Sequence, residues 1–234
     1  IVLGVALLGA PLLGHLELAN IAMLFPLAVL FAALWLGRGP AVLAALPLGA
    51  AEPAPKLERI EWSDIWITDA DRDAGARVLL VGDSIVRGYY DGVERALAGR
   101  AACARYTTSK FLGNPDYAGE LGLILDRHRY DVIHINNGLH GWDCTEEEYR
   151  KCLEALVVLL REKAPGAKVV WGMTTPVRVA GDLARLDEDK NARAVARNRI
   201  AAEIMGKGGI PVTDLYAALA ERPDLFAADG VHHN

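Results

Sequence analysis

The chain has 234 residues, of which 52% are hydrophobic and three are cysteine, and its net charge is -5 at neutral pH. That length suits one ordinary domain with an appendage rather than two full domains, and it is enough to bury a sizeable core. The acidic balance excludes an overall basic field of the kind that gathers nucleic acid, and an odd cysteine set without C-x-x-C spacing (Cys103, Cys144, Cys152) excludes a disulfide framework and points to a reducing compartment.

Charge is spread unevenly along the chain. Through residue 55 the formal charges are Glu17, Arg38 and Glu52. Residues 18–37 form an uncharged run long enough to cross a hydrocarbon core as a helix. Pro26 would kink such a helix without forbidding it, and Trp35 falls where an interfacial aromatic belongs. Residues 41–51 are apolar but too short to span alone. Residues 1–51 are therefore read as an apolar helical, transmembrane segment that associates the protein with a membrane; a buried helical hairpin is the alternative. The stretch from Ala19-Asn20-Ile21-Ala22-Met23-Leu24-Phe25 through Gly37-Arg38-Gly39-Pro40-Ala41 resembles the transmembrane sensor region of bacterial potassium-responsive histidine kinases. A stiff linker with Pro53 and Pro55 follows over 52–59, and residues 60–234 read as a soluble domain. Trp62 and Trp66, four residues apart, either share a helical face or cap the edge of a sheet.

From residue 77 two periodicities alternate. Residues 77–81 are a short Val- and Leu-rich run that reads as a buried parallel strand. A helix over 91–98, a weak strand over 102–106, a helix over 117–128 and a strand over 130–135 come next. A long helix over 146–163 is opened by Thr145, with glutamates in its first turn. A strand over 168–172, a helix over 187–205 that exits at Gly208-Gly209, a short strand over 210–212 and a helix from 215 complete the pattern. Such alternation predicts a parallel sheet with helices on both faces. The arginines of residues 193–199 read as a solvated helix face, and His128, His134 and His140 as packing or surface residues.

Residues able to do chemistry cluster just after the predicted strands, where open α/β sheets form their sites. Gly82-Asp83-Ser84 follows the first strand and leads toward a helix, which puts the Ser84 hydroxyl at the sheet's edge and its N–H at a helix N-terminus, able to donate to a developing oxyanion. Asp229 precedes His232 by three residues, so one loop can supply both a base for the serine and a carboxylate to hold that base's ring. His233 should point elsewhere. Ser109 to Asn114 follow the second strand, with Gly113 able to offer a bare N–H. Asn136 and Asn137 end the third strand, where an amide NH₂ can donate to the same oxyanion. Asp229, His232 and His233 are metal-ligand types, yet no wider ligand spacing accompanies them, so neither a metal nor a cofactor is expected.

Together, Gly82-Asp83-Ser84, Gly113, Asn137 and Asp229-x-x-His232 resemble the SGNH (GDSL-type) hydrolase family over about residues 60–234. The resemblance implies a flavodoxin-like three-layer α/β/α fold and metal-free ester hydrolysis through a triad of Ser84, His232 and Asp229. It also implies an oxyanion hole made of Ser84, Gly113 and Asn137. The third block departs from the usual Gly-x-Asn-Asp, reading Asn136-Asn137-Gly138-Leu139-His140, so Asn136 stays open as the alternative donor. Family members continue past the histidine into a closing helix, and without that helix the Asp229–His232 loop would be less firmly held. Within the family, carbohydrate O-acetyl groups, lipid esters and thioesters are all substrates. A small acyl group on a sugar is the expectation here, with Trp142 as a stacking platform or a packing residue. The rival expectations are a glycan-binding module without catalysis and a membrane sensor.

Overall fold

Residues 55–72 and 75–234 are described by the structure, a computed structural model. The expected membrane segment over 1–51 and its sensor-like stretch lie outside them. Among the described residues no helix is long and apolar enough to cross a membrane.

The central sheet takes the order β1-β3-β2-β4-β5-β8, built from β1 (Ser63–Ile67), β2 (Arg77–Gly82), β3 (Ala102–Thr108), β4 (Val132–Ile135), β5 (Lys168–Gly172) and β8 (Val212–Thr213). Strands β3-β2-β4-β5-β8 pair in parallel and β1 closes one edge antiparallel to β3. Numbered by appearance, the parallel strands follow the 2-1-3-4-5 order of doubly wound sheets, which place a site at the crevice between the first and third. Trp66 lies on edge strand β1, which settles the tryptophan pair as capping a sheet edge rather than sharing a helical face.

Period-two alternation divides the core into two layers. Leu79 and Val81 join Ile133, Ile135 and Trp171 under α2 (Tyr117–Arg127), α3 (Glu146–Lys163) and α4 (Glu188–Gly208). Val78 and Leu80 face the other way, against Val86 and Tyr90 of α1 (Ser84–Leu97). Helices thus cover both faces. The chain order places α1 seven residues earlier than the predicted start at 91. Asp83 caps the helix by accepting from the Ile85 N–H, and burial of Ile85, Val86 and Tyr90 outweighs the roughly 1 kcal/mol that Gly88 costs in a helix. Helix α3 starts just after Thr145, as its sequence predicts, with a reciprocal capping box between Thr145 and Glu148, and α4 ends at Gly209 in the left-handed conformation.

A hairpin of β6 (Arg178–Val179) and β7 (Asp182–Leu186) was not expected from the sequence. Its strands, two and five residues long, pair with each other, and the hairpin is tied to the terminal loop by the Arg178 N–H donating to Gly230 O and the Gly181 N–H to Ala228 O. A short helix α5 (Leu215–Ala220) and a 3₁₀ turn lead to the terminal loop. Cys103, Cys144 and Cys152 are free.

Candidate functional site

Ser84 is the first residue of α1, directly beyond the C-terminal end of β2. Gly82 makes this junction possible, because a Cβ there would press into Val86. The Asp83 carboxylate is buried under the turn, with Oδ1 accepting from the Ile85 N–H at 2.9 Å. Burial pushes its pKa above the ordinary carboxylate value, and the nearby His140 and His232 pull it part of the way back.

The terminal loop meets this serine. His232 Nε2 lies 2.8 Å from Ser84 Oγ, and His232 Nδ1 lies 2.6 Å from Asp229 Oδ2. The other Asp229 oxygen accepts from the N–H groups of Val231 and His232, both at 2.9 Å. These bonds, led by the one from the His232 ring, hold the Asp229 pKa down to about 2. The loop is braced from outside by the β6–β7 hairpin, and from the other side by Asn234, whose N–H donates to Leu225 O at 2.9 Å. His233 turns away and packs on the Phe226 ring with centroids 4.6 Å apart. The side chains of His232 and Asp229 are about half exposed, at 47% and 50%, so the site is open to solvent.

The two asparagines after β4 diverge. Asn136 Nδ2 donates to Gly172 O at 2.7 Å, toward β5. Asn137 Nδ2 donates to Lys110 O at 3.1 Å, toward the loop that follows β3. Because β2 lies between β3 and β4, the Asn137 amide spans the end of the strand that carries Ser84, whereas Asn136 points away from it. Asn137 is held in turn by Tyr149, whose hydroxyl donates to its carbonyl at 2.7 Å. Gly113 sits in a turn closed by the Asn114 N–H bonding to Phe111 O. A Cβ at Gly113 would lie 2.6 Å from Phe111 Cε2 and 3.1 Å from Cys152 Sγ, so packing alone already demands a glycine there.

The surroundings correct one expectation and decide another. Arg197 is 1% exposed and does not lie on a solvated face. Its guanidinium donates to the carbonyls of Gly138, His140 and Gly141 at 2.9, 2.6 and 2.6 Å. Arg193 likewise reaches Trp142 O and Cys144 O. Both guanidinium groups stack on the Trp142 ring, which also packs on the Ile85–Leu139–Val177 cluster; Trp142 is therefore a packing residue. A cavity of about 430 Å³ opens beside Ser84 and His232, lined by Ile85, Tyr89, Thr175, Leu215 and Leu219. Sequence reasoning missed Thr175, Arg178 and Arg197. Thr175 sits in the short Thr174-Thr175-Pro176 stretch that follows β5, and the arginines carry no local signal of burial.

The model of the GDSL-like lipase/acylhydrolase family matches residues 80–234. The chain belongs to that family. It is by that membership an esterase, and its serine, asparagine and Asp-x-x-His positions all fall inside the matched region. No curated protein matches. Among solved structures, this hydrolase resembles a lipase/acylhydrolase from Enterococcus faecalis at 22% identity, covering 68% of this chain and 88% of that one with a TM-score of 0.53. It also resembles an acetylxylan esterase from Geobacillus stearothermophilus, at 15% identity, 69% and 88% coverage and a TM-score of 0.53. An α/β hydrolase from the metagenome of Lake Arreo, Spain, aligns at 16% identity over 69% and 88% with a TM-score of 0.55. At such identities the likeness is one of fold.

Proposed function

We propose that this hydrolase cleaves esters through an acyl-enzyme on Ser84, with His232 as base and Asp229 as the carboxylate that orients it. The observation that carries the reading is the continuous chain of hydrogen bonds from Ser84 Oγ through the His232 ring to Asp229, at 2.8 and 2.6 Å. Ser84 attacks the ester carbonyl as His232 Nε2 takes its proton. The oxyanion is held by the N–H groups of Ser84 and Gly113 and by the Asn137 amide. His232 returns the proton to the leaving alcohol, and a water activated by the same imidazole then releases the acid. The direction of the Asn137 amide across the end of β2 supports it over Asn136 as the donor.

The half-exposed triad supports a bulky alcohol, and the reading we favour is removal of small acyl groups, acetyl above all, from a carbohydrate. The acetylxylan esterase of Geobacillus stearothermophilus has the same kind of chemistry in its name but shares only the fold. A second reading rests on the cavity walled by Ile85, Tyr89, Leu215 and Leu219, whose apolar lining suits a longer acyl chain. Turnover of acetyl, butyryl and octanoyl 4-nitrophenyl esters separates the two. The first expects acetyl to have the highest kcat/KM, and a maximum at octanoyl selects the second. Ser84→Ala should lose turnover on all three, and retained turnover would overturn both.

A further inference from the structure

The segment that enters the hydrolase, residues 56–62, belongs to none of the motifs, yet its polar groups go to both loops that flank Ser84. On the loop after β3, the Ser109 hydroxyl donates to Ile60 O and accepts from the Trp62 N–H, and Asn114 Nδ2 donates to Glu61 Oε1 at 2.7 Å. On the loop after β4, Lys56 Nζ donates to Asp143 O at 3.0 Å, and Glu58 Oε1 accepts from the Gly141 N–H at 2.6 Å. Glu58 Oε1 also lies 3.5 Å from His140 Nδ1.

The Glu58 contact is electrostatically placed. The peptide unit joining His140 to Gly141 offers its N–H to the Glu58 carboxylate, while its carbonyl accepts from Arg197 at 2.6 Å. Negative charge therefore sits at the positive end of the peptide dipole and positive charge at the negative end. Arg197 is buried, and the partners its guanidinium bonds are carbonyls. A buried cation of this kind needs nearby negative charge or well-aimed dipoles, and Glu58 supplies charge through the intervening peptide. The gripped peptide lies just beyond Asn137 in the same loop, and Arg197 also bonds Gly138 O, next to Asn137.

We infer that Glu58 is a positioning residue for the oxyanion loop: through the His140–Gly141 peptide and Arg197 it fixes where Asn137 presents its amide. This rests on the reading of Asn137 as an oxyanion donor. Its effect should fall on the step in which negative charge develops and leave substrate binding largely alone.

The test is a double-mutant cycle in the full chain, with 4-nitrophenyl acetate as substrate and the variants Glu58→Ala, Glu58→Gln, Asn137→Ala and Glu58→Ala/Asn137→Ala. Glu58→Ala is expected to lower kcat about tenfold with KM within about twofold, as loss of one charged hydrogen bond allows. Glu58→Gln, whose amide oxygen still accepts from the Gly141 N–H but carries no charge, should recover only part of the loss. In the Asn137→Ala background the Glu58→Ala step should all but vanish. A Glu58→Ala kcat equal to wild type, or a full tenfold step that persists without the Asn137 amide, overturns the inference. If Asn137→Ala itself turns over normally, the oxyanion reading fails and this inference falls with it; if Asn137→Ala is slow and Glu58→Ala is normal, only the role of Glu58 fails. Should Glu58→Ala not fold, Glu58→Asp, which withdraws the carboxylate by one methylene, enters the same cycle.

Discussion

Gly230→Ala probes how firmly the loop that carries the proposed base is held. Gly230 lies between Asp229 and His232 with φ at 74°, in the left-handed region. A Cβ added there would lie 2.7 Å from the Arg178 carbonyl carbon and closer still to its oxygen, and both atoms are backbone. Left-handed geometry with a Cβ costs about 1–2 kcal/mol. Relieving the contact to an ordinary carbon–carbon distance requires a shift of about 1 Å between the hairpin and the loop. That shift strains the bond from the Arg178 N–H to Gly230 O, which is 2.8 Å long. It is transmitted two residues on to the imidazole, and a misplacement of about 1 Å in such a group lowers turnover on the order of a hundredfold. The assay is kcat on 4-nitrophenyl acetate beside a thermal melt: the variant should stay folded, with a lower midpoint, and lose turnover. A Gly230→Ala enzyme that keeps wild-type kcat would refute the claim that the hairpin fixes the loop.

Other consequences are separately measurable. Asn137→Ala should lower kcat about a hundredfold, while Asn136→Ala, which breaks only a buried bond to Gly172 O, should cost about 1–2 kcal/mol of stability with little change in kcat; a reversal of the two in urea melts and kinetics would move the oxyanion donor to Asn136. Arg197→Lys cannot reproduce bonds to the carbonyls of Gly138, His140 and Gly141 and should destabilise the fold by about 2–4 kcal/mol in urea unfolding; a change within error would show that the buried guanidinium is dispensable. Burial lowers the pKa values of His134 and His233, so the unfolded chain takes up protons that the fold refuses, and stability should fall as pH drops below about 6.5. His134→Gln should flatten that dependence in thermal melts. Asp229 acts at the opposite end: its pKa of about 2 keeps it charged through this window, and its modest, solvent-screened contribution is lost only as pH falls from about 4 toward 2.

The legible parts of the sequence were those whose signal is local. The apolar run at 77–81 marked β2, and Thr145 with the glutamates after it marked the start of α3, each within a residue, because burial and capping act over a few neighbours. Asp229 and His232 were readable as a pair because three residues of one turn join them, although their meeting with Ser84 depends on the whole sheet. Helix α1 was read as starting too late: Gly88 and Gly92 weaken its pattern, and the cap at Asp83 was read only as part of a chemical motif. The hairpin was not legible because its strands are two and five residues long, and the buried arginines were not because Arg197 bonds carbonyls far away in sequence and Arg178 bonds both Leu183 O nearby and the distant Ala220 O. Nothing in Arg178 or Arg197 themselves distinguishes them from surface arginines. Glu58, in a segment read as linker, illustrates the same limit. The sequence favoured Asn137 with Asn136 as the alternative but showed neither side chain's direction; the structure shows that the two amides diverge.

Covalent labelling offers the most direct check on the chemistry. A fluorophosphonate reacts with a serine only where a neighbouring base activates it and an oxyanion site receives the charge. Intact mass and peptide mapping of the full chain should find one adduct, on Ser84, with labelling lost in Ser84→Ala and slowed by orders of magnitude in His232→Ala. An unlabelled folded chain, or an adduct on another serine, would contradict the account at its root.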